Sequence, residues 1–177
     1  VGSEMCIRYR FIKCLEEEGV TKIFGIPGEE NADFMISLKK STKIEFILCR
    51  HEQAAAFMAD VYGRLTGKAG VCLATLGPGV TNLMTGLADA NMDRAPVVAI
   101  IGQGSTERLH KESHQIMDSI GMVAPISKWA QTILSPSNIT EVVRKAFNVA
   151  ETEKPGVTVI ELPEDIAKEE ISHFQMV

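Results

Sequence analysis

The sequence predicts an α/β fold: a doubly wound, mainly parallel six-stranded sheet with helices on both faces. Three observations predict it. Short apolar runs alternate with stretches of helical periodicity along most of the chain, as βαβ units require. Some runs, above all Pro96-Val97-Val98-Ala99-Ile100-Ile101, are apolar at nearly every position, which suits parallel strands covered on both faces. Three runs end in glycine turns, at 25–28, 77–79 and 102–104, where a strand passes into its crossover. Right-handed crossovers are expected between such strands.

The elements follow in order. Phe11, Ile12, Leu15 and Val20 predict a helix that stops at Gly19. Residues 21–24 form a first strand, then a Gly-Ile-Pro-Gly turn, then a helix to about residue 40 that Asn31 or Asp33 can cap. Residues 43–49 and 70–75 read as strands around a small-residue helix over 52–65. The turn at 77–79 leads into a helix to about residue 92, followed by the strand at 96–101. Residues 105–118 are polar with little periodicity. A strand at 126–133, an amphipathic helix at 138–151 and a last strand at 156–161 complete the pattern.

Composition narrows the function. With 177 residues, the chain is long enough for one domain with a real core, and its 45% hydrophobic content is dominated by aliphatic side chains. A formal net charge of −5 without a Lys/Arg cluster argues against nucleic acid. No apolar run reaches membrane-spanning length, and no signal-peptide pattern is present. Cys6, Cys14, Cys49 and Cys72 show neither CxxC nor metal-ligand spacing. Cys72 reads as a small core residue, and the chain as cytoplasmic.

Glu52 is the first candidate for chemistry. It falls where the strand at 43–49 gives way to a helix, on the sheet edge where ligands of open α/β folds collect. From this stretch alone, a plain helix N-terminal acid, favoured by the helix dipole, is the better account of it. Three glycine turns opening on the same edge shift the balance toward a ligand site. The phosphate loop GxxxxGK[ST] is absent, no GxGxxG follows the first strand, and Asn82 stands where the second glycine turn would need its third glycine. His110, His114 and Asp118 match no metal spacing and read as polar loop residues. His51 reads as a hydrogen-bonded neighbour of Glu52.

Gly25-Ile26-Pro27-Gly28, Arg50-His51-Glu52-Gln53-Ala54-Ala55, Tyr62-Gly63-Arg64, Gly77-Pro78-Gly79-Val80-Thr81-Asn82 and His114-Gln115-Ile116-Met117-Asp118 occur in an order and spacing that resemble the N-terminal pyrimidine-binding domain of thiamine-diphosphate enzymes. Within them the chain is most similar to the acetolactate synthase (acetohydroxyacid synthase) large catalytic subunit, over about residues 11–166. Lys128-Trp129 also fits that subgroup. The resemblance implies that Glu52 hydrogen-bonds N1′ of the cofactor's aminopyrimidine and exchanges a proton there. It implies that Pro27, Gly28, Thr75, Pro78 and Asn82 line the pyrimidine pocket or its approach. His114 and Gln115 would stand at the substrate end, with Gln115 counted beside Glu52 as catalytic. His114 replaces an often aromatic residue, and Glu29-Glu30 replaces small ones.

The implied activity is decarboxylation of pyruvate and condensation of the hydroxyethyl group with a second 2-oxo acid. The implied cofactor is thiamine diphosphate. Its diphosphate and Mg²⁺ would be held by a separate domain through a GDG…NN motif, and no GDG occurs in this sequence. FAD remains possible in the full-length enzyme. The resemblance also implies a homo-oligomer whose site is completed by the diphosphate-binding domain of a second subunit. Residues 1–10, part of which resemble a translated transposase adapter, are expected to be a non-native or disordered leader. Residues 167–177 are expected to begin a truncated linker, and the fragment is expected to be inactive alone. Two other readings stay open at this point: the pyrimidine-domain subunit of a split 2-oxo acid decarboxylase of the sulfopyruvate decarboxylase type, and a non-catalytic binding module of the same fold.

Overall fold

The computed structural model describes residues 7–109 and 111–169. Six parallel strands form one sheet: β1 (Lys22–Gly25), β2 (Glu45–Leu48), β3 (Gly70–Ala74), β4 (Val97–Gln103), β5 (Trp129–Thr132) and β6 (Val157–Pro163), in the order β2-β1-β3-β4-β6-β5. The helices are α1 (Ile7–Glu17), α2 (Ala32–Leu38), α3 (Glu52–Thr66), α4 (Pro78–Met92), α5 (Ser119–Val123), α6 (Ile139–Glu151) and α7 (Glu164–Lys168). The predicted α/β class and the six strands are therefore present.

The central strands bury both faces, and successive side chains supply two different cores. Val71, Leu73, Val98, Ile100 and Ile160 face one layer, where Phe11, Leu15, Phe34, Val143 and Phe147 of α1, α2 and α6 pack. Phe11 and Phe34 meet edge to face at 5.5 Å. Cys72, Ala74, Val97, Ala99, Ile101 and Val159 face the other layer, with Ala55, Ala59, Leu83, Leu87 and Val123 of α3, α4 and α5. Small residues on this second face bring α3 and α4 close to the sheet and to each other. The Cys72 thiol lies at zero exposure, and burial pushes its pKa up to about 12.

Several boundaries differ from expectation. Among the described residues helix α1 spans Ile7–Glu17, and so already includes the four residues before Phe11. Ile7 is fully buried, and its N–H donates to the carbonyl of Glu169. Residues 7–10 are thus helical, and Ile7 is packed against the rest of the unit. At the other end, residues 167 and 168 lie in α7, and Ala167 is buried. Strand β5 starts at Trp129 rather than residue 126, because Ala124–Ile126 form a 3₁₀ turn with Pro125 in its first positions. Strands β4 and β6 run two residues further than expected, through the pairs Gly102 with Leu162 and Gln103 with Pro163.

Because all strands are parallel, their carboxyl ends share one edge. Strand β1 has β2 on one side and β3 on the other. The connections from β1 and β3 therefore leave in opposite directions and open a crevice between them, the usual ligand position in such sheets.

Candidate active site

Glu52 is the first residue of α3 and is only 9% exposed. The preceding residue, His51, has extended backbone and caps the helix, its Nδ1 accepting from the N–H of Gln53 at 3.1 Å. His51 thus acts here as a helix cap. Asn82, one turn into α4, donates from Nδ2 to Glu52 Oε2 at 3.0 Å. The other carboxylate oxygen faces Gly79, 3.6 Å from where a Cβ on that residue would stand. The carboxylate is thus buried on two helices and oriented by a neutral donor.

The remaining members assemble around it. Thr75 follows β3 and lies between the two glycine turns. A Cβ on Gly28 would fall 2.4 Å from Thr75 Cβ, and a Cβ on Gly79 would fall 3.2 Å from Thr75 Cγ2. Thr75 Oγ1 donates to Glu30 Oε2 at 3.0 Å. The Gly28 N–H donates to Asn31 Oδ1 at 2.8 Å and fixes the turn. Asn31 occupies the N-cap position of α2 as expected but makes no side-chain bond to that helix; its oxygen is committed to the turn before it.

Gly77 has φ +55° and a second constraint. A Cβ there would sit 2.6 Å from the carbonyl oxygen of Gln115. The backbone of Gln115 therefore lies directly on the Gly77 turn, and Gln115 itself has φ +56°.

Of the residues singled out from the sequence, the structure joins Glu52 with Asn82, Gly28 with Thr75, and Gln115 with the turn that precedes Pro78. Pro27, Pro78, His114 and Gln115 are exposed. His110 lies outside the described residues. Asp118 is a helix cap, its Oδ1 accepting from the N–H of Gly121 at 2.8 Å. Arg64 of the Tyr-Gly-Arg stretch is not at this edge. It bonds Asp60 within α3 and Asp89 and Asp93 at the far end of α4, tying the two helices together opposite Glu52 and Asn82.

Sequence reasoning missed Gln103 and Glu161, and it read Asn31 only as a cap of α2 and Glu30 only as a replacement of a small residue. Asn31 is 4% exposed, and its Nδ2 has no hydrogen-bond partner. Gln103 and Glu161 are polar residues at the carboxyl ends of otherwise apolar strands, and that contrast was the available signal. Burial pushes the Glu161 carboxyl above its ordinary range, opposed by bonds from Thr132 and Gln103 and reinforced by nearby Asp118.

Comparison with known proteins bears on the family of the chain. Residues 7–122 match the family described as thiamine pyrophosphate enzyme, N-terminal TPP binding domain. The chain is 46% identical over 160 residues to a probable acetolactate synthase large subunit of Methanocaldococcus jannaschii, covering 90% of this chain and 27% of that protein. It is 41% identical over 169 residues to an acetolactate synthase of Arthrospira platensis, covering 94% and 29%. It is 42% identical over 158 residues to an acetolactate synthase of Bacillus subtilis, covering 89% and 28%. The chain thus spans less than a third of the length of these relatives. A buried, amide-oriented glutamate on the carboxyl edge and a match over most of the chain lead to one conclusion: the chain belongs to the family of thiamine pyrophosphate enzyme N-terminal TPP-binding domains.

Proposed function

We propose that this domain supplies the pyrimidine-binding half of the active site of a thiamine-diphosphate-dependent acetolactate synthase. The reaction decarboxylates pyruvate and joins the remaining two-carbon unit to a second 2-oxo acid. The observation that carries the reading is Glu52: a buried acid on the ligand edge, held by Asn82 at 3.0 Å. The relatives named acetolactate synthase support the choice of reaction.

The residues fit an aminopyrimidine. A flat ring needs close backbone approach, and Gly28 and Gly79 leave no room for side chains of their own beside Thr75. A ring nitrogen needs an acid or base within hydrogen-bond reach, and Glu52 presents Oε1 toward Gly79 while Asn82 occupies Oε2. When bound, thiamine diphosphate supplies the electron sink for decarboxylation and carbon–carbon bond formation. Glu52 holds and moves the proton at the ring nitrogen. Asn82 holds one carboxylate oxygen and leaves the other for the ring nitrogen. Pro27, Gly28, Thr75 and Pro78 shape the pocket and its mouth, and His114 and Gln115 stand at the substrate end.

We assign the diphosphate and Mg²⁺ to a diphosphate-binding domain of a second subunit, within a cytoplasmic homo-oligomer. No helix of the described residues is long and apolar enough to cross a membrane.

The test is a comparison of two assays with thiamine diphosphate, Mg²⁺ and pyruvate. An enzyme that joins this domain to a diphosphate-binding domain forms acetolactate, and the 177-residue chain alone forms none. Robust product from the chain alone refutes the division of labour. No product from the complete enzyme refutes the reaction.

A further inference from the structure

Between the ends of β4, β5 and β6 and the segment that carries Gln115 lies a cavity of about 530 Å³, lined in part by Gln103, Met117, Ser119, Thr132 and Glu161. Its floor is a buried polar network with no part in the site described above. Gln103, the last residue of β4, is 2% exposed. Its Oε1 accepts from the N–H of Gly104 at 2.9 Å, and its Nε2 donates to Glu161 Oε1 at 3.0 Å. Those two partners fix which end of the amide is which. A flipped amide would set Nε2 against an N–H and Oε1 against a carboxylate. The second N–H on Nε2 is then aimed at the carbonyl of Met117, 3.1 Å away. Glu161 is itself held from the other side, Thr132 Oγ1 donating to Oε2 at 2.6 Å.

Met117 is two residues from Gln115, whose left-handed backbone is one that non-glycine residues rarely adopt. Such a conformation persists only where the surroundings over-determine it. On one side Gln115 rests on Gly77. At its start, the 105–118 segment is tied to α7, the Thr106 N–H donating to Asp165 Oδ1 at 3.0 Å. Close after Gln115, the tie is the Gln103 amide.

We propose that Gln103, oriented by Glu161, is a positioning residue that holds Gln115 over the Gly77 turn. Only the catalytic consequence of this inference rests on the substrate-end role proposed for Gln115. The positioning itself is a property of the chain as it stands.

The test is amide hydrogen exchange on the ¹⁵N-labelled 177-residue chain. The reporters are Ile116 and Ser119, whose N–H groups bond Ser113 and Met117 carbonyls. Gln103→Met keeps the length of the side chain and loses the amide. It should speed exchange at both reporters about tenfold, the net worth of one hydrogen bond, and leave Val98 and Ile100 unchanged. Glu161→Leu should match it, because an unoriented amide serves no better than none. Glu161→Gln should restore protection, since its oxygen can still accept from Gln103 and Thr132 can accept from its NH₂. Unchanged exchange in Gln103→Met overturns the proposal, as does an equal rise across β4 and β6, which would make the network a support of the sheet. In the complete enzyme the same variant should raise KM for the 2-oxo acid about tenfold with thiamine diphosphate affinity unchanged. An enzyme that forms no acetolactate refutes the reaction, while the exchange result still decides the positioning.

Discussion

Gly28→Ala tests how tightly the two turns of the crevice fit against each other. The new Cβ would stand 2.4 Å from Thr75 Cβ, 2.6 Å from Oγ1 and 2.8 Å from Cγ2. Carbon atoms pack at about 3.5–4.0 Å, so the overlap exceeds 1 Å. The obstacle is a short β-branched side chain with no flexible end that can move aside. Either the turn after β1 lifts, or Thr75 rotates and gives up its bond to Glu30. Overpacking costs about 1–3 kcal/mol and the lost bond about 0.5–1.5 kcal/mol, together about 1.5–4.5 kcal/mol. For a chain of this size, that lowers Tm by roughly 3–18 °C. Urea unfolding followed by circular dichroism gives the cost directly. The attribution is checked by repeating Gly28→Ala in a Thr75→Gly background, where the obstacle is gone and at least half the cost should vanish. A change within 0.5 kcal/mol, or an equal cost in both backgrounds, would refute the reasoning.

Glu161→Gln should stabilise the chain increasingly as pH rises. Because burial raises the folded-state pKa of Glu161, its contribution is complete below the unfolded-state value and is lost as pH rises through the raised one, whereas glutamine is indifferent. Urea midpoints at pH 4.5 and 7.5 give the comparison, and a gap that narrows toward pH 7.5 contradicts the assignment. Glu52→Gln in the complete enzyme should keep the Asn82 contact through its oxygen but lose proton exchange, lowering kcat about 10²–10⁴-fold with cofactor affinity little altered. Equal turnover would remove Glu52 from the chemistry.

The architecture was legible because the central strands carry two periodicities at once. Val71 and Leu73 serve one core while Cys72 and Ala74 serve the other, so a continuous apolar run signals a strand covered twice. Boundaries were less legible. Ile7 to Arg10 read as foreign from their local sequence, yet Ile7 is buried and bonded to Glu169, 162 residues away. No local pattern reports such a contact. Glu52, Asn82 and Gly28 were visible because their neighbours form recognisable runs. Gln103 and Glu161 were not, since each is a single polar residue whose partner is 58 positions distant.

The two brackets between α3 and α4 have a mechanical consequence. Glu52 and Asn82 meet at one end of the helix pair, and Arg64 grips Asp89 and Asp93 at the other. Neither helix can slide along its neighbour without breaking both ends. The acid is thus set before anything binds, and on the proposed function an arriving ring spends none of its affinity on assembling its own receptor. Salt weakens only the solvent-facing bracket, so added electrolyte should loosen the far end of the pair well before it disturbs the end that holds Glu52.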